Sequence, residues 1–250
     1  MKLGRARAFA LGTLSAAAAF VWLAVAAPGL AQSQPGNGGG LLSGMIKQRL
    51  ESLKQAAAAN RAALNQYSWT ESVQVSVHGE VKATKQMNCR YGADGKPQCA
   101  PSDAAPEQPQ AHGLVGRIKA EKKEEFTDYI KQVKALIANY VPLDSAKMQA
   151  AHEAGNVSLS RRGAGEAGLV FKNYSLPGDS MTLDFSMQTH KLSTLAVNSY
   201  LGDPSSAVTL AVQFAILPDG TSYPAQETIN AAAKGIQLLV TNSNYQKISP

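Results

Sequence analysis

MTLDFSMQTHKLSTLAVNSYLGDPSSAVTLAVQFAI, residues 181–216, decides the fold. Met181, Leu183, Phe185 and Met187 alternate with Thr182, Asp184 and Ser186. Val208, Leu210, Val212, Phe214 and Ile216 alternate with Thr209, Ala211, Gln213 and Ala215. A period of two puts one side chain in two on a buried face, which is the pattern of a half-buried strand. Thr189-His190-Lys191 and Gly202-Asp203-Pro204 punctuate the run with turns.

The same reading extends from Val157 to Lys247. Strands are expected near Val157–Arg162, Leu169–Ser175, Leu192–Tyr200, Ser222–Ala231 and Ile236–Tyr245, with Pro224 suiting an edge or a bulge. Short loops between strands of this length favour an antiparallel meander.

Upstream the period changes. Leu42, Met45/Ile46, Leu50, Leu53 and Ala57 recur on one face of an amphipathic helix over 41–66, and Ala56–Ala59 has high helix propensity. Trp69, Glu71, Val73, Val75 and Val77 then alternate with Thr70, Ser72, Gln74, Ser76 and His78 as a strand. His78-Gly79-Glu80 turns it into a second strand, Val81–Tyr91. Residues 100–112, APSDAAPEQPQAH, read as an exposed proline-rich loop. Phe126, Tyr129/Ile130, Val133, Leu136/Ile137 and Tyr140 mark a second helix over 114–141, and Asp144 or Ser145 caps a third. Helices set apart in sequence from the strands indicate an α+β fold rather than βαβ units. The expectation is a curved antiparallel sheet or incomplete β-barrel of about eight strands, covered by two or three helices.

Cys89 and Cys99 flank the turn signal Tyr91-Gly-Ala-Asp-Gly-Lys96 and lie equally far from Asp94. A hairpin closed at Asp94-Gly95 would face them across two strands, which favours a disulfide over two free thiols or half a metal site.

Lys2, Arg5 and Arg7 precede an uncharged, mostly apolar stretch from Ala8 to Ala27, then Pro28-Gly29 and a small-residue site at Gly29-Leu-Ala31. This order predicts a secretory signal over 1–31 cleaved near Ala31, in preference to an uncleaved anchor. Residues 32–40 read as a flexible leader and 41–250 as a single domain, periplasmic or secreted from a bacterium, with no stable membrane span after cleavage. The formal charge of +6 includes those three leader cations, and the rest is too scattered for nucleic acid.

The motifs of common catalysts are missing: no G-x-S-x-G, P-loop, G-x-G-x-x-G or H-E-x-x-H occurs. His78, His112, His152 and His190 each stand without a second ligand at metal-binding spacing. No catalytic residue, metal or cofactor is therefore expected.

The element order, with Tyr67-Ser-Trp-Thr70 entering a strand–Gly79–strand hairpin and a terminal Leu217-Pro-Asp-Gly220…Tyr223-Pro224…Asn242-Ser-Asn244-Tyr245, resembles the periplasmic lipoprotein-localisation-factor superfamily. That superfamily includes the outer-membrane lipoprotein carrier and lipid-transfer lipoproteins. The resemblance implies an incomplete β-barrel closed by helices around an apolar cavity. The proline-rich loop and the cysteine turn depart from its pattern.

The residues then expected to line a cavity, or else to fill a core, are Trp69, Val73, Val75, Phe171, Met181, Leu183, Phe185, Leu210, Val212 and Phe214. The function expected is binding or carriage of a lipid or other hydrophobic ligand. The alternative is a periplasmic protein-interaction or sensor module without a small ligand.

Overall fold

The computed structural model describes residues 39–93, 95–102, 114–163 and 165–248. The stretch read as a signal and most of the proline-rich loop lie outside the described residues.

Helix α1 spans Gly39–Leu64 and leads into β1 (Tyr67–Val77) and β2 (Glu80–Tyr91). Strand β3 (Pro97–Pro101) completes the cysteine hairpin. Helices α2 (Leu114–Ile137) and α3 (Ser145–Glu153) follow. The Asp144 carboxylate caps α3, accepting from the Ala146 and Lys147 amides at 2.9 and 3.1 Å. The meander is β4 (Val157–Gly163), β5 (Glu166–Lys172), β6 (Ser180–Ser186), β7 (Leu192–Tyr200), β8 (Ala207–Ile216), β9 (Ser222–Ala231) and β10 (Ile236–Lys247).

The described strands form one antiparallel sheet of ten, in the order β3-β2-β1-β10-β9-β8-β7-β6-β5-β4. The sheet is open, with β3 and β4 at its edges. The early hairpin joins the meander through β1 and β10, where Val73 faces Val240 and Val75 faces Leu238. Ten strands replace the expected eight, and one of them is β3, the short partner strand of the cysteine hairpin, which runs into the first two residues of the stretch expected to be a loop, Ala100 and Pro101. Its two prolines stand at the first and last positions of an edge strand, where the missing N–H groups cost little. Pro224 also proves to sit at a bulge: β9 lies inside the sheet, and its register with β8 shifts between Gln213 and Phe214.

All three helices pack on one face of the sheet. Ile46, Leu50 and Leu53 of α1, Ile130, Val133 and Leu136 of α2 and Met148 of α3 share a core with Leu169, Phe171, Met181, Leu183, Phe185, Leu195, Leu210 and Leu238. A smaller cluster at the β1–β3 end joins Trp69, Val73, Met87, Cys89 and Val240, with Tyr91, Cys99 and Tyr245 packed on it. The Cys89–Cys99 disulfide is formed, between directly opposed residues of β2 and β3.

The loop between β5 and β6 fastens α2 to the sheet. The Asp179 carboxylate accepts from the amides of Tyr174, Ser175 and Leu176 at 2.6, 2.9 and 2.6 Å. It also accepts from the Tyr140 hydroxyl at 2.5 Å. That hydroxyl lies 2.7 Å from Ser199 Oγ, so a fully buried tyrosine has its polar end satisfied. Among the described residues no helix is long and apolar enough to cross a membrane.

Candidate functional site

The second half of α1 builds a cavity because of the residues it lacks. Ala56, Ala57, Ala59 and Ala63 line it, with Leu53 and Leu64 at their ends. A helix that lays methyl groups against a sheet cannot close the gap that leucines would fill. The opposite wall is Leu192, Phe214 and Pro224, and the space between, open to solvent on one side, is about 340 Å³. Its rim comes from three turns. Tyr91 and Gly95 belong to the β2–β3 hairpin, Thr189, His190 and Lys191 to the β6–β7 turn, and Asp219–Ser222 to the β8–β9 turn.

Polar contacts hold this frame open. Asn60 brackets Ser222: its Nδ2 donates to the Ser222 carbonyl and its Oδ1 accepts from the Ser222 amide, both at 2.6 Å. Arg61 Nη2 donates to the Gly95 carbonyl at 2.9 Å. Gly95 has φ +68°, and a Cβ there would lie 2.1 Å from that Nη2, so only glycine admits the guanidinium. Lys191 Nζ donates to the Gly220 carbonyl and joins two of the turns. Below them Tyr67 Oη donates to Asp219 at 2.6 Å, and Lys247 Nζ lies 3.2 Å from the same carboxylate oxygen. The Tyr67 hydrogen bond, helped by Thr221 and Lys247, holds the Asp219 carboxyl well below the usual range.

Beside the cavity the buried face turns polar. Glu71 on β1, Glu227 on β9 and Asn242 on β10 are all buried, and Glu71 and Asn242 stand directly opposite each other. Glu71 is fully buried, and neither carboxylate oxygen has a hydrogen-bond partner. Burial pushes its pKa up to about 7, and Lys134 and Lys85 oppose that rise. Lys134 responds in kind: desolvation lowers its pKa, which Glu71 partly offsets. Burial likewise raises Tyr91 to about 12 and raises Tyr245, with Glu71 and Glu227 adding to both. Arg61 Nη1 is buried without a hydrogen-bond partner between these groups and the cavity.

Of the ten residues expected at a cavity, Phe214 lines this one. Phe171, Met181, Leu183, Phe185, Leu210 and Val212 lie in the core beneath the helices, with Val75 packed against it. Trp69 and Val73 belong to the smaller cluster. The alanines of α1 and the turn residues were missed. Ala56–Ala59 was read for helix propensity, although a run of small residues on the inner face of a helix also signals space. Among the described residues the one grouping of three metal-ligand atoms is Glu71 with Cys89 and Cys99, whose sulfurs are bonded to each other.

No protein-family model matches the chain, and no curated protein sequence matches it. Several solved structures are similar, three of them as follows. A DUF1329 family protein from Desulfovibrio piger aligns with TM-score 0.39 and 11% identity over 81% of this chain and 92% of its own. A LolA superfamily protein from Nitrosomonas europaea aligns with TM-score 0.37 and 10% identity over 82% and 94%. An outer membrane lipoprotein-sorting protein domain from Vibrio parahaemolyticus aligns with TM-score 0.38 and 8% identity over 82% and 94%. The last two carry names from the superfamily that the sequence resembles; likeness at this level says nothing of what the chain binds.

Proposed function

We propose that this protein is exported and binds a hydrophobic ligand in the cavity between α1 and the rim of the sheet, without transforming it. The observation that carries the reading is the alanine face. Four alanines line the gap where larger apolar residues would complete the core, and polar brackets at Asn60 and Arg61 tie the helix to the rim. The space, about 340 Å³, sits at the low end of the roughly 300–1,000 Å³ typical of small-molecule pockets. That suits one acyl chain or a compact apolar molecule better than a lipid with several chains. At the rim Arg61 and Lys191 outnumber the Asp219 carboxylate, which would favour an acidic head over a basic one.

The test is displacement of a fluorescent fatty acid from the purified chain, run beside native mass spectrometry of protein taken from its export compartment. Ala57→Phe puts an aromatic ring into the cavity and should weaken probe binding at least tenfold while the fold is kept. Equal binding by that variant, or no binding by the wild type, would refute the reading.

A further inference from the structure

The strongest feature outside the cavity is the pairing of Glu71 with the disulfide. A carboxylate oxygen of Glu71 and the sulfurs of Cys89 and Cys99 all lie within 4.8 Å of one another. Glu71 has no exposed surface and neither oxygen has a hydrogen-bond partner. An acid buried without partners destabilises a fold, so its place needs another explanation than packing. The two cysteines also differ. Cys89 is 2% exposed on β2, whereas Cys99 is half-buried on the edge strand β3.

We propose that the Cys89–Cys99 bond is redox-active, exchanging with an external dithiol, and that Glu71 is the proton donor for the buried sulfur. A thiolate of the dithiol attacks Cys99 Sγ, which belongs to the more exposed of the two cysteines. The Cys89–Cys99 bond breaks, its electron pair goes to Cys89 Sγ, and a mixed disulfide forms at Cys99. Burial disfavours a thiolate, so Cys89 is a poor leaving group unless it is protonated as it departs. The neutral Glu71 carboxyl supplies that proton, directly or through one water, and becomes a carboxylate. The second thiol of the partner, as thiolate, then attacks the mixed disulfide. It leaves Cys99 as a thiolate that solvent protonates, and the partner as a disulfide. The dithiol has lost two electrons and two protons, and the Cys89–Cys99 pair has gained both, one proton through Glu71, which solvent re-protonates.

The groups facing Glu71 keep the acid near its working range. Lys134 from α2 and Lys85 from β2 favour the carboxylate, and burial favours the acid, leaving the group titrating near 7. Tyr91, Tyr245 and Glu227 complete its surroundings, and the two phenols stay protonated throughout the neutral range.

The test is reduction of the oxidised full chain by dithiothreitol under native conditions between pH 5.5 and 8.5, with acid quench, thiol alkylation and mass measurement. The rate is expressed per unit of dithiothreitol thiolate. For the wild type it should fall about tenfold from pH 6 to pH 8, as an acid titrating near 7 loses its proton. For Glu71→Gln it should be flat. A flat wild-type profile would overturn the proposal without recourse to any variant. So would the same profile in Glu71→Gln, or a rate independent of dithiothreitol concentration, which would mean that the bond opens only on unfolding.

Discussion

Replacing Glu71 by Gln should stabilise the protein at alkaline pH and leave it unchanged at acid pH. The side chain is fully buried with no hydrogen-bond partner at either oxygen, and its pKa rises from 4.5 to about 7. The native state therefore holds a proton that the unfolded chain releases above 4.5, so stability is complete below that pH and declines as pH rises to 7. The loss runs at about 1.4 kcal/mol per pH unit, for a total of about 3 kcal/mol above pH 7. Gln is nearly isosteric with the protonated acid and does not ionise. The difference between variant and wild type should be near zero at pH 4.5 and about 3 kcal/mol in favour of the variant at pH 8. The pKa near 7 already contains the attraction of Lys134 and Lys85 for the carboxylate. Urea unfolding of both proteins at four pH values, with a common m-value, measures the difference directly. A variant no more stable than wild type at pH 8, or an advantage that does not vary with pH, would show that the fold does not raise the Glu71 pKa.

Other perturbations separate the core from the cavity. Phe185→Ala removes a fully buried ring beneath the helices and should cost about 3–5 kcal/mol in thermal or urea unfolding, with probe affinity of the folded protein unchanged. Phe214→Ala alters the cavity wall itself, and its effect should appear in probe affinity first. Asp179→Ala strips the acceptor from three backbone amides and from Tyr140, and should lower stability by at least about 3 kcal/mol in the same assay. Asn60→Ala breaks the bracket to Ser222 for about 1–3 kcal/mol, and hydrogen exchange at the Ser222 amide should quicken selectively.

The sheet was legible because its signal is local. Met181, Leu183 and Phe185 alternate in the sequence and are all fully buried in the structure. Strand β3 was legible only through its cysteine: five residues bounded by prolines carry no alternation to read, and a disulfide and a partner strand hold them. The cavity was hidden for a different reason. Phe185 and Phe214 have the same pattern in sequence, yet one lies beneath Arg49 in the core and the other faces the alanines of α1. Which strand segment a helix covers with large residues, and which with small ones, depends on how far α1 reaches along the sheet. That placement comes from the Asn60–Ser222 bracket, a contact between residues 162 apart.

One sequence feature did mark the unusual region. Glu71 stands in phase with Trp69, Val73 and Val75, so the alternation alone sends a carboxylate to the buried face. Glu227 and Asn242 make the same break on β9 and β10, and all three are buried. Together they separate the apolar core beneath the helices from the aromatic and disulfide cluster at the β1–β3 end. The cavity opens at that boundary. Leu53, Leu192 and Phe214 belong to its core side, while Tyr91 packs on the cluster side and Arg61 reaches across to Gly95. A sequence selected only for stability would continue the apolar pattern through positions 71, 227 and 242 and fill the alanine face of α1. It does neither, and the two departures meet in one place, as expected where a fold gives up stability for a site.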